Sequence, residues 1–508
     1  MSGTDGAILE QSASAPSRKP THVSQTQIIS ELQRIAGVAN VVHAPTDLMV
    51  FEYDGSVDAA IESARPIAVV LPSDAEQVAA IVRLAIQHGV PVVPRGAGTG
   101  LSGGSVAQQG GIVIATTRMQ RIFEVDVRNR TALVEPGVIN LELSEYVTGD
   151  GFFFAPDPSS QRACTIGGNI AENSGGPHCL KYGVTTNHIL GLEIVAPDGK
   201  LRWIGGRGEE PLGYDLHGIW VGSEGLIGIV TKALVRLTPT PEMVSVQLMD
   251  FTDVETASQA VTAIIGAGIV PAALEMMDNL TIQAVEPAFH AGYPMDAGAV
   301  LLVEVDGISE DVQDTAEEIA QLCRQAGARS VRAATEKAER DLLWKGRKMA
   351  IAAMGRLAPN YYLHDTVVPR TKLAQTLGHV GAISRDFDLP IANMFHAGDG
   401  NLHPLMLFDR HDHAQVQRVL DASKELITYC IDIGGALTGE HGIGTEKREY
   451  MTLVYNTEDL AAMAGIKNAF DPGSLFNPEK LFPRGYMCGE VRALRNAAMA
   501  QKYGIYPL

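Results

Sequence analysis

The sequence predicts an α+β protein with a glycine-rich first domain, an α/β second domain and a short helical C-terminal segment. The first observation is a strand, a helix and a second strand, a βαβ unit that leads directly into a glycine-rich loop. The second is a change in composition after Pro239 and Pro241, where glycines become less frequent and strand patterns alternate with helix patterns. The third is a pair of further glycine-rich segments close to the C-terminal end.

The βαβ unit is predicted over residues 68 to 93. Ala68 to Leu71 is a short apolar run typical of a buried strand. Ser73 with Glu76 three residues later is a capping-box pattern, so we expect Ser73 to be the N-cap of a helix that ends at Gly89. Val90 to Val93 predicts the next strand, which runs into the glycine-rich loop.

Apolar periodicity and turn residues define the other elements. In the first domain we predict a helix over Gln25–Ala36 and strands over Gly111–Thr116, Thr131–Val134, Leu192–Val195 and Leu201–Ile204. In the second we predict strands over Val244–Phe251, Ala299–Val305 and Tyr361–Val368, and helices over Val254–Ile265, Val312–Ala326 and Ala338–Ala353. The expected divisions are a disordered tail over 1–23, a first domain over 24–240, a second over 241–440 and a returning segment over 441–508.

Composition excludes several classes of function. The 508 residues include 59 acidic and 40 basic residues, a net charge of −19, which disfavours binding to phosphate backbones and therefore nucleic acids. No run approaches the about 20 apolar residues that a transmembrane helix needs. The five cysteines form no C-x-x-C pair, which favours a reducing compartment and argues against an iron–sulfur centre in this chain.

Glycines are the most informative feature of the composition, since 52 of them occur in clusters. The segment from Pro94 to Ser105 follows a strand, and its backbone N–H groups can converge on an anion without help from a lysine. By itself such a loop is more often a simple turn. No Gly-Lys-Ser/Thr follows it, so it is not a Walker loop, and its glycine spacing does not fit a Rossmann fingerprint.

A second glycine-rich cluster, from Pro156 to Tyr182, supports a binding function for the first loop. Together the segments resemble the FAD-binding domain of the vanillyl-alcohol oxidase superfamily, the PCMH-type fold, over about Ala64 to Thr238. The resemblance implies an FAD held by the following residues: Arg95, Gly96, Ala97, Gly98, Thr99, Gly100, Ser102, Pro156, Asp157, Ser159, Thr165, Gly167, Gly168, Asn169, Asn173, Gly175, Tyr182, Gly225, Ile229, Val230 and Asn477. Covalent members often have a histidine where Thr99 stands, so we expect a non-covalent FAD. The alternative is a set of glycine turns with no cofactor.

The C-terminal half carries a histidine and carboxylate pattern. His396 and His403 flank a glycine-rich turn, and Glu440 and His441 form a second glycine-flanked motif. Two imidazoles and a carboxylate are a common set of ligands for a divalent metal, and such a site leaves positions open for substrate. Solvent-facing loop histidines are the simpler alternative for any one of the 14 histidines.

These motifs resemble the C-terminal domain of FAD-linked D-lactate dehydrogenases, D-2-hydroxyglutarate dehydrogenases and glycolate oxidase flavoprotein subunits. The resemblance implies that His396, His403 and Glu440 bind a divalent metal (zinc, manganese or iron), that Asn401 touches substrate, and that His441 is the base. A carboxylate substrate also calls for a guanidinium, for which we select Arg347; an exposed helix face is the alternative interpretation of that residue.

The implied activity is oxidation of a small D-2-hydroxy acid, with glycolate first, to the 2-oxo acid, with hydride passing to flavin N5. D-lactate is the first alternative and D-2-hydroxyglutarate the second. Homologues that take a second carboxylate tend to carry a lysine just before the strand that ends in an Asp-x-x-x-Pro motif. Here Tyr362, Leu363 and His364 precede that motif, which runs from Asp365 to Pro369. A flavin-free structural subunit is a third possibility, against which the histidine motifs argue.

Reduced flavin needs an electron acceptor that the chain itself does not supply. We therefore expect a partner subunit carrying iron–sulfur centres, or a cytochrome or quinone. The expected location is cytoplasmic, or peripheral at the inner membrane through that partner.

Overall fold

The computed structural model describes residues 24–56, 65–206, 213–334 and 336–484. The predicted tail and Cys488 lie outside these ranges. The helices are α1 Gln25–Ala36, α2 Pro45–Leu48, α3 Ala75–His88, α4 Asn140–Val147, α5 Ile166–Glu172, α6 Cys179–Tyr182, α7 Leu216–Trp220, α8 Val254–Gly266, α9 Asn279–Phe289, α10 Ser309–Gln325, α11 Lys337–Lys348, α12 Ala350–Ala353, α13 Leu373–Asp386, α14 His413–Asp432, α15 Met451–Val454 and α16 Thr457–Phe470.

Strands form four sheets in the described ranges. They are β1 Val41–Val42, β2 Ala68–Val70, β3 Val92–Arg95, β4 Ile112–Ala115, β5 Ile122–Asp126, β6 Thr131–Val134, β7 Phe152–Phe153, β8 Ile189–Val195, β9 Leu201–Gly205, β10 Ile229–Arg236, β11 Thr238–Pro239, β12 Met243–Phe251, β13 Ala273–Asp278, β14 Ala299–Gly307, β15 Ser330–Ala334, β16 Asn360–Leu363, β17 Thr366–Val367, β18 Ile391–His396 and β19 Asn401–Phe408.

The first domain contains two main sheets. One has the order β1-β2-β4-β3, in which β4 pairs in parallel with β2 and β3, as expected for strands joined by the crossover helix α3. The other is antiparallel, with the order β5-β6-β10-β8-β9. Helix α3 buries Val78, Ile81 and Val82 against the first sheet, so its apolar stripe forms the core there.

The second domain is built on one large antiparallel sheet, in the order β15-β12-β14-β13-β18-β19-β16, with β17 also paired to β19. Helices cover both of its faces. Met249 and Phe251 of β12 pack in the cluster that includes α8, α10, α13 and α14, whereas Val246 and Leu248 pack with α9, α11 and α12. Side chains therefore alternate between two apolar layers, which explains why these strands read as continuous apolar runs.

Three sequence predictions about elements were wrong in detail. Asp74, not Ser73, caps α3, because its carboxylate accepts the Gln77 N–H at 2.9 Å. The strand predicted over 361–368 is two strands. Pro404 lies opposite His364 and has no N–H to donate, so the pairing with β19 is interrupted there. Asp365 lies between the two strands and binds the Gly439 N–H. The helix predicted over 338–353 ends at Lys348, and α12 follows after Met349.

The C-terminal segment returns to the first domain. The Val92 N–H donates to Leu475 O at 2.8 Å, and the Asn477 N–H donates to Val92 O at 2.7 Å, which forms a parallel bridge beside β3. The Asn477 side chain is buried and donates to Gly104 O and Glu224 O. Residues from the far end of the chain thus hold the glycine-rich loop in place.

Charged side chains join the two domains. The His178 ring lies 2.9 Å from Asp157 Oδ2 in the first domain and 3.1 Å from Glu304 Oε1 on β14. Lys348 of α11 donates to Asp157 at 3.3 Å, and Lys181 and Tyr182 both donate to Asp306. In the part of the chain that the structure describes, no helix has the length and apolar character to cross a membrane.

Candidate active site

A cavity of about 420 Å³ lies between the first domain, the large sheet and the C-terminal motifs. Its volume is within the about 300–1,000 Å³ that is usual for small-molecule sites. The first domain supplies glycines and small hydroxyl residues, and the second supplies Arg347, Lys348, Tyr361, Leu363 and Met394. His396, His403, Glu440 and His441 also line it, so the two sets of sequence motifs face one space.

The loop after β3 forms one wall because Arg95 folds beneath it. Arg95 Nη1 donates to Tyr53 O at 3.0 Å and to Ser105 Oγ at 3.1 Å, and its side chain is buried. Gly98 has φ +73°, and a Cβ there would overlap the Arg95 guanidinium. Glycine at position 98 is therefore required both by the backbone conformation and by the buried arginine.

The second glycine cluster packs directly on this loop. Thr165 is the N-cap of α5 and accepts the Gly168 N–H at 3.3 Å. A Cβ on Gly96 would lie 2.6 Å from Thr165 Oγ1, and a Cβ on Gly167 would lie 2.6 Å from Pro136 Cβ. Glycines thus permit the two loops to approach each other and leave backbone groups, rather than side chains, on the cavity wall.

The predicted cofactor residues fall into two groups. Those that line the cavity are Arg95, Gly96, Ala97, Gly98, Thr99, Gly100, Ser159, Thr165, Gly167, Gly168, Asn169, Gly225, Ile229 and Val230. The others are not part of the cavity lining: Ser102, Pro156, Asp157, Asn173, Gly175, Tyr182 and Asn477. In the second group, Asp157 and Tyr182 are engaged in the contacts between domains.

The histidine pair lies on a β-hairpin. His396 ends β18 and His403 lies on β19, opposite Met394, so both rings project from the same face of the sheet. His396 Nε2 lies 3.1 Å and His403 Nε2 lies 3.2 Å from Glu440 Oε1. The ligand atoms of these three residues lie within 4.8 Å of one another, a spacing from which they can bind a single metal ion.

Outer partners orient both histidines. His396 Nδ1 lies 2.7 Å from Glu275 Oε1, and His403 Nδ1 lies 3.2 Å from the carbonyl of His364. When each Nδ1 carries its hydrogen and donates it, each Nε2 presents a lone pair toward Glu440, as in carboxylate–histidine–metal arrangements. Burial opposes protonation of His396, but Glu275 and Glu440 raise its pKa well above the ordinary value. The carboxylates of Glu275 and Glu440 therefore favour a positive charge at this centre, which a divalent ion would supply.

His441 stands beside this centre. Its ring stacks on that of His403, with centroids 5.1 Å apart and planes 7° apart. Burial lowers the pKa of His441 to about 4, although Asp365 opposes the shift, so the ring is neutral at neutral pH. Its backbone N–H donates to Asp365 Oδ2 at 3.0 Å. A neutral imidazole fixed at this place can accept a proton from a ligand bound at the centre.

Asp365 organises the loop that carries the Glu440 and His441 side chains. This fully buried carboxylate accepts from the Thr438 hydroxyl and the backbone N–H groups of Gly439 and Glu440, and pairs with Lys447 at 3.1 Å. Burial opposes ionisation, but Lys447 and His441 hold the pKa of Asp365 well below its usual value. No role was predicted for Asp365 from the sequence. The one feature that could have indicated a role is an isolated acidic residue within an apolar strand.

Arg347 is 3% exposed, and the alternative of an exposed helix face is therefore wrong. Nη2 lies 2.5 Å from Glu275 Oε2, outside hydrogen-bond geometry, and Nε has no hydrogen-bond partner. The guanidinium therefore retains donors for a ligand in the cavity. Glu275 connects it to His396, a link that sequence reasoning missed although a Glu within the apolar run of β13 marks it.

Asn401 is not part of the cavity lining. It lies opposite His396 on the hairpin and packs against Gly439, where a Cβ would come within 2.5 Å of its amide. Its Oδ1 is buried without a hydrogen-bond partner. The structure therefore brings it to the back of the Glu440 segment rather than to the open space, and its predicted contact with substrate stays a prediction.

The residues present fit both implied groups. For FAD, the first-domain side of the cavity consists of small residues and backbone, and buried atoms beside it, Glu172 Oε2 and Ser102 Oγ, have no hydrogen-bond partner. For a divalent metal, two imidazoles and a carboxylate converge and have outer partners in place.

Comparison with known families covers both halves of the chain. Residues 66–205 match the model of an FAD binding domain, and residues 240–481 match that of the C-terminal domain of FAD linked oxidases. The predicted resemblance to FAD-linked oxidases with an FAD-binding domain is thereby confirmed.

Relatives match nearly the whole chain. Glycolate oxidase subunit GlcD of Escherichia coli K12 is 42% identical over 93% of this chain and 94% of its own length. A D-lactate dehydrogenase of Archaeoglobus fulgidus is 33% identical, over 89% and 98% respectively.

Among solved structures, p-cresol methylhydroxylase superposes with a TM-score of 0.77 at 17% identity, over 91% of this chain and 98% of its own. This likeness concerns the fold alone and confirms the α+β class with a PCMH-type domain.

Proposed function

The chain belongs to the FAD-linked oxidases, and from that premise we propose that it oxidises a small D-2-hydroxy acid, glycolate first, to the 2-oxo acid. The observation that supports this most directly is the shared cavity. One wall is the glycine-rich lining of the FAD domain, and the other carries Arg347, the His396, His403 and Glu440 centre, and His441.

Each protein group has a role in this proposal. Bound FAD would supply the two-electron acceptor, and a divalent ion held by His396, His403 and Glu440 would lower the pKa of the substrate hydroxyl. Arg347 binds the substrate carboxylate through its free donors. His441 accepts the hydroxyl proton, so the loss of a C2 hydrogen with its electron pair leaves a carbonyl. Asp365 holds the His441 loop during this transfer.

The lining favours a small monocarboxylate. Among the described cationic side chains on the wall other than the histidines, Arg347 is assigned to the first carboxylate, and the other two are engaged, Arg95 with Tyr53 O and Lys348 with Asp157. Ile351, Leu363 and Met394 are apolar. A second carboxylate, as in D-2-hydroxyglutarate, would lack a dedicated cation. D-lactate, which adds one methyl group, is the second candidate, supported by the relative of that name.

An electron acceptor must complete the cycle. The Escherichia coli relative is named a subunit, which supports the proposal that a partner protein receives the electrons. We propose that this acceptor carries iron–sulfur centres, or is a cytochrome or quinone. The four described cysteines are free, as expected in a reducing compartment, which supports the predicted cytoplasmic or membrane-peripheral location.

An anaerobic substrate panel tests the proposal. Purified holoenzyme is mixed with glycolate, D-lactate, L-lactate or D-2-hydroxyglutarate, and bleaching of the flavin absorbance is followed. We expect glycolate and D-lactate to bleach the flavin faster than L-lactate or D-2-hydroxyglutarate. If dithionite reduces the flavin but no 2-hydroxy acid does, the proposal is wrong.

A further inference from the structure

A pair of glutamates lies beneath the loop that carries His441, and the mechanism above does not use it. Glu172 ends α5, and Glu224 lies in the turn before β10 with φ +50°. A Cβ on Gly442 would lie 2.5 Å from Glu172 Oε2 and 3.0 Å from Glu224 Oε1. The two carboxyl groups therefore meet at the residue that follows His441, and both line the cavity.

The two groups have opposite hydrogen-bond environments. Glu224 accepts the Ile443 N–H at 2.8 Å and the Gly444 N–H at 2.7 Å, one with each oxygen. Such contacts require an acceptor and suit the carboxylate form. Glu172 Oε2 is buried without a hydrogen-bond partner, and its Oε1 lies against Gly104, 2.9 Å from where a Cβ would stand. No donor among the described residues satisfies Glu172.

The charges around Glu172 also disfavour a second carboxylate. Glu224 and Asp54 are the anionic neighbours, and Lys480, which donates to Val106 O, is the cationic one. Burial and then these two carboxylates raise the pKa of Glu172 well above the ordinary value, and Lys480 opposes them. Two close carboxyl groups in a dry site hold one proton more readily than they ionise together.

We propose that Glu172 is a neutral carboxylic acid that donates a hydrogen bond to the bound FAD. An O–H donor needs an acceptor, and the carbonyl, hydroxyl and phosphate oxygens of FAD are the acceptors that belong in this cavity. Glu224 remains the carboxylate that binds the His441 loop. The inference rests on FAD binding and not on the choice of substrate.

Infrared difference spectroscopy on the full chain tests the protonation state without substrate. The band of a protonated carboxylic acid should shift when FAD is removed from the wild-type protein and return when it is added back. Glu172→Gln, which keeps size, neutrality and a donor, should lack that band. If no acid band responds to FAD in the wild type, the proposal is wrong, whether or not the variant folds.

Two variants then test the contact. Glu172→Gln should keep the FAD dissociation constant and the dithionite-measured flavin reduction potential of the wild type. Glu172→Leu, also neutral but without a donor, should bind FAD about tenfold more weakly, as expected for loss of one hydrogen bond of about 1.4 kcal/mol. A higher potential in Glu172→Gln would mean an ionised Glu172, and unchanged FAD affinity in Glu172→Leu would mean no contact; either overturns the proposal. Neither measurement uses a 2-hydroxy acid, so the proposal for Glu172 is tested independently of the proposed substrate.

Discussion

Arg347 and Glu275 form a buried ion pair at the cavity wall, with Nη2 and Oε2 2.5 Å apart and side-chain exposures of 3% and 0%. Glu275 uses its other oxygen to orient His396. A single carboxylate therefore links the group proposed to bind the substrate to a group proposed to bind the metal.

Replacing Arg347 should separate substrate binding from stability. Arg347→Lys keeps the charge beside Glu275 but loses the planar fork, so we expect KM for glycolate to rise about tenfold with little loss of stability. Arg347→Met leaves the buried Glu275 carboxylate without its arginine partner, which should cost about 3–5 kcal/mol of unfolding free energy. Stopped-flow flavin reduction and denaturant unfolding measure the two effects. Lys345→Met, exposed on the same helix, is the control, and an unaltered KM in Arg347→Lys would contradict the role.

Replacing His441 should remove proton transfer but not the cofactor. His441→Gln should retain FAD and metal, since neither set of proposed ligands is changed, yet flavin reduction by glycolate should slow by about 10²–10⁴-fold. Anaerobic stopped-flow measures the rate, and reduction by dithionite shows whether the flavin is still competent. A variant that glycolate reduces at the wild-type rate would remove His441 as the base.

Metal binding should depend on His403 and, more weakly, on Glu275. His403→Ala should lose the divalent ion and activity, and chelation of the wild type should do the same reversibly. Glu275→Gln should weaken metal affinity about 10–100-fold, because a neutral amide oxygen replaces the carboxylate that faces His396 Nδ1. Elemental analysis and metal titration provide the measurement, with the exposed His411→Ala as control. Full activity in a preparation shown to be free of metal would refute the centre.

His178 should stabilise the contact between the domains in a pH-dependent way. Although burial opposes protonation, Asp157 and Glu304 raise its pKa from 6.5 to about 10, so the folded protein holds a proton that the unfolded chain releases above 6.5. This contribution is fully present below pH 6.5 and is lost as pH rises through 10. His178→Gln should therefore destabilise most at low pH, by about 3–5 kcal/mol, and the difference from wild type should shrink toward pH 10. Melting curves over that range test it; a difference independent of pH would contradict the charged pair.

The glycine-rich loop should not tolerate a side chain at Gly98. Gly98→Ala would need φ +73° and would push on the Arg95 guanidinium, so we expect a folded protein with much lower FAD occupancy. The flavin-to-protein absorbance ratio measures this. Gly465→Ala is the matched control, because that helical position has no atom within 4 Å of the added Cβ. Equal FAD occupancy in both variants would argue against the loop as the FAD site.

Local sequence signals were sufficient for much of the fold. The limits of α1 and β6 are the predicted ones, because each is set by nearby residues such as Ser24, the N-cap of α1. The division of 361–368 into two strands was not predictable, since it depends on Pro404, which lies far along the chain.

The site follows the same rule. Glycine and histidine motifs are contiguous in sequence and could be recognised, whereas their partners could not. Glu275, Asp365 and Glu172 act through contacts with residues 121, 76 and about 270 positions away. A single buried acid in an apolar segment carries no indication of which distant group it faces.

The parallel bridge between Val92 and Phe476 has a consequence for biosynthesis. Because residues 475–477 complete the edge beside β3 and Asn477 binds the loop at Gly104, a nascent chain lacks these contacts until residue 477 has left the ribosome. The FAD domain precedes the second domain in the sequence but is completed only by residues that follow the second domain. Stable capture of the flavin should therefore require residues 475–477, which a chain truncated before Asp471 would lack.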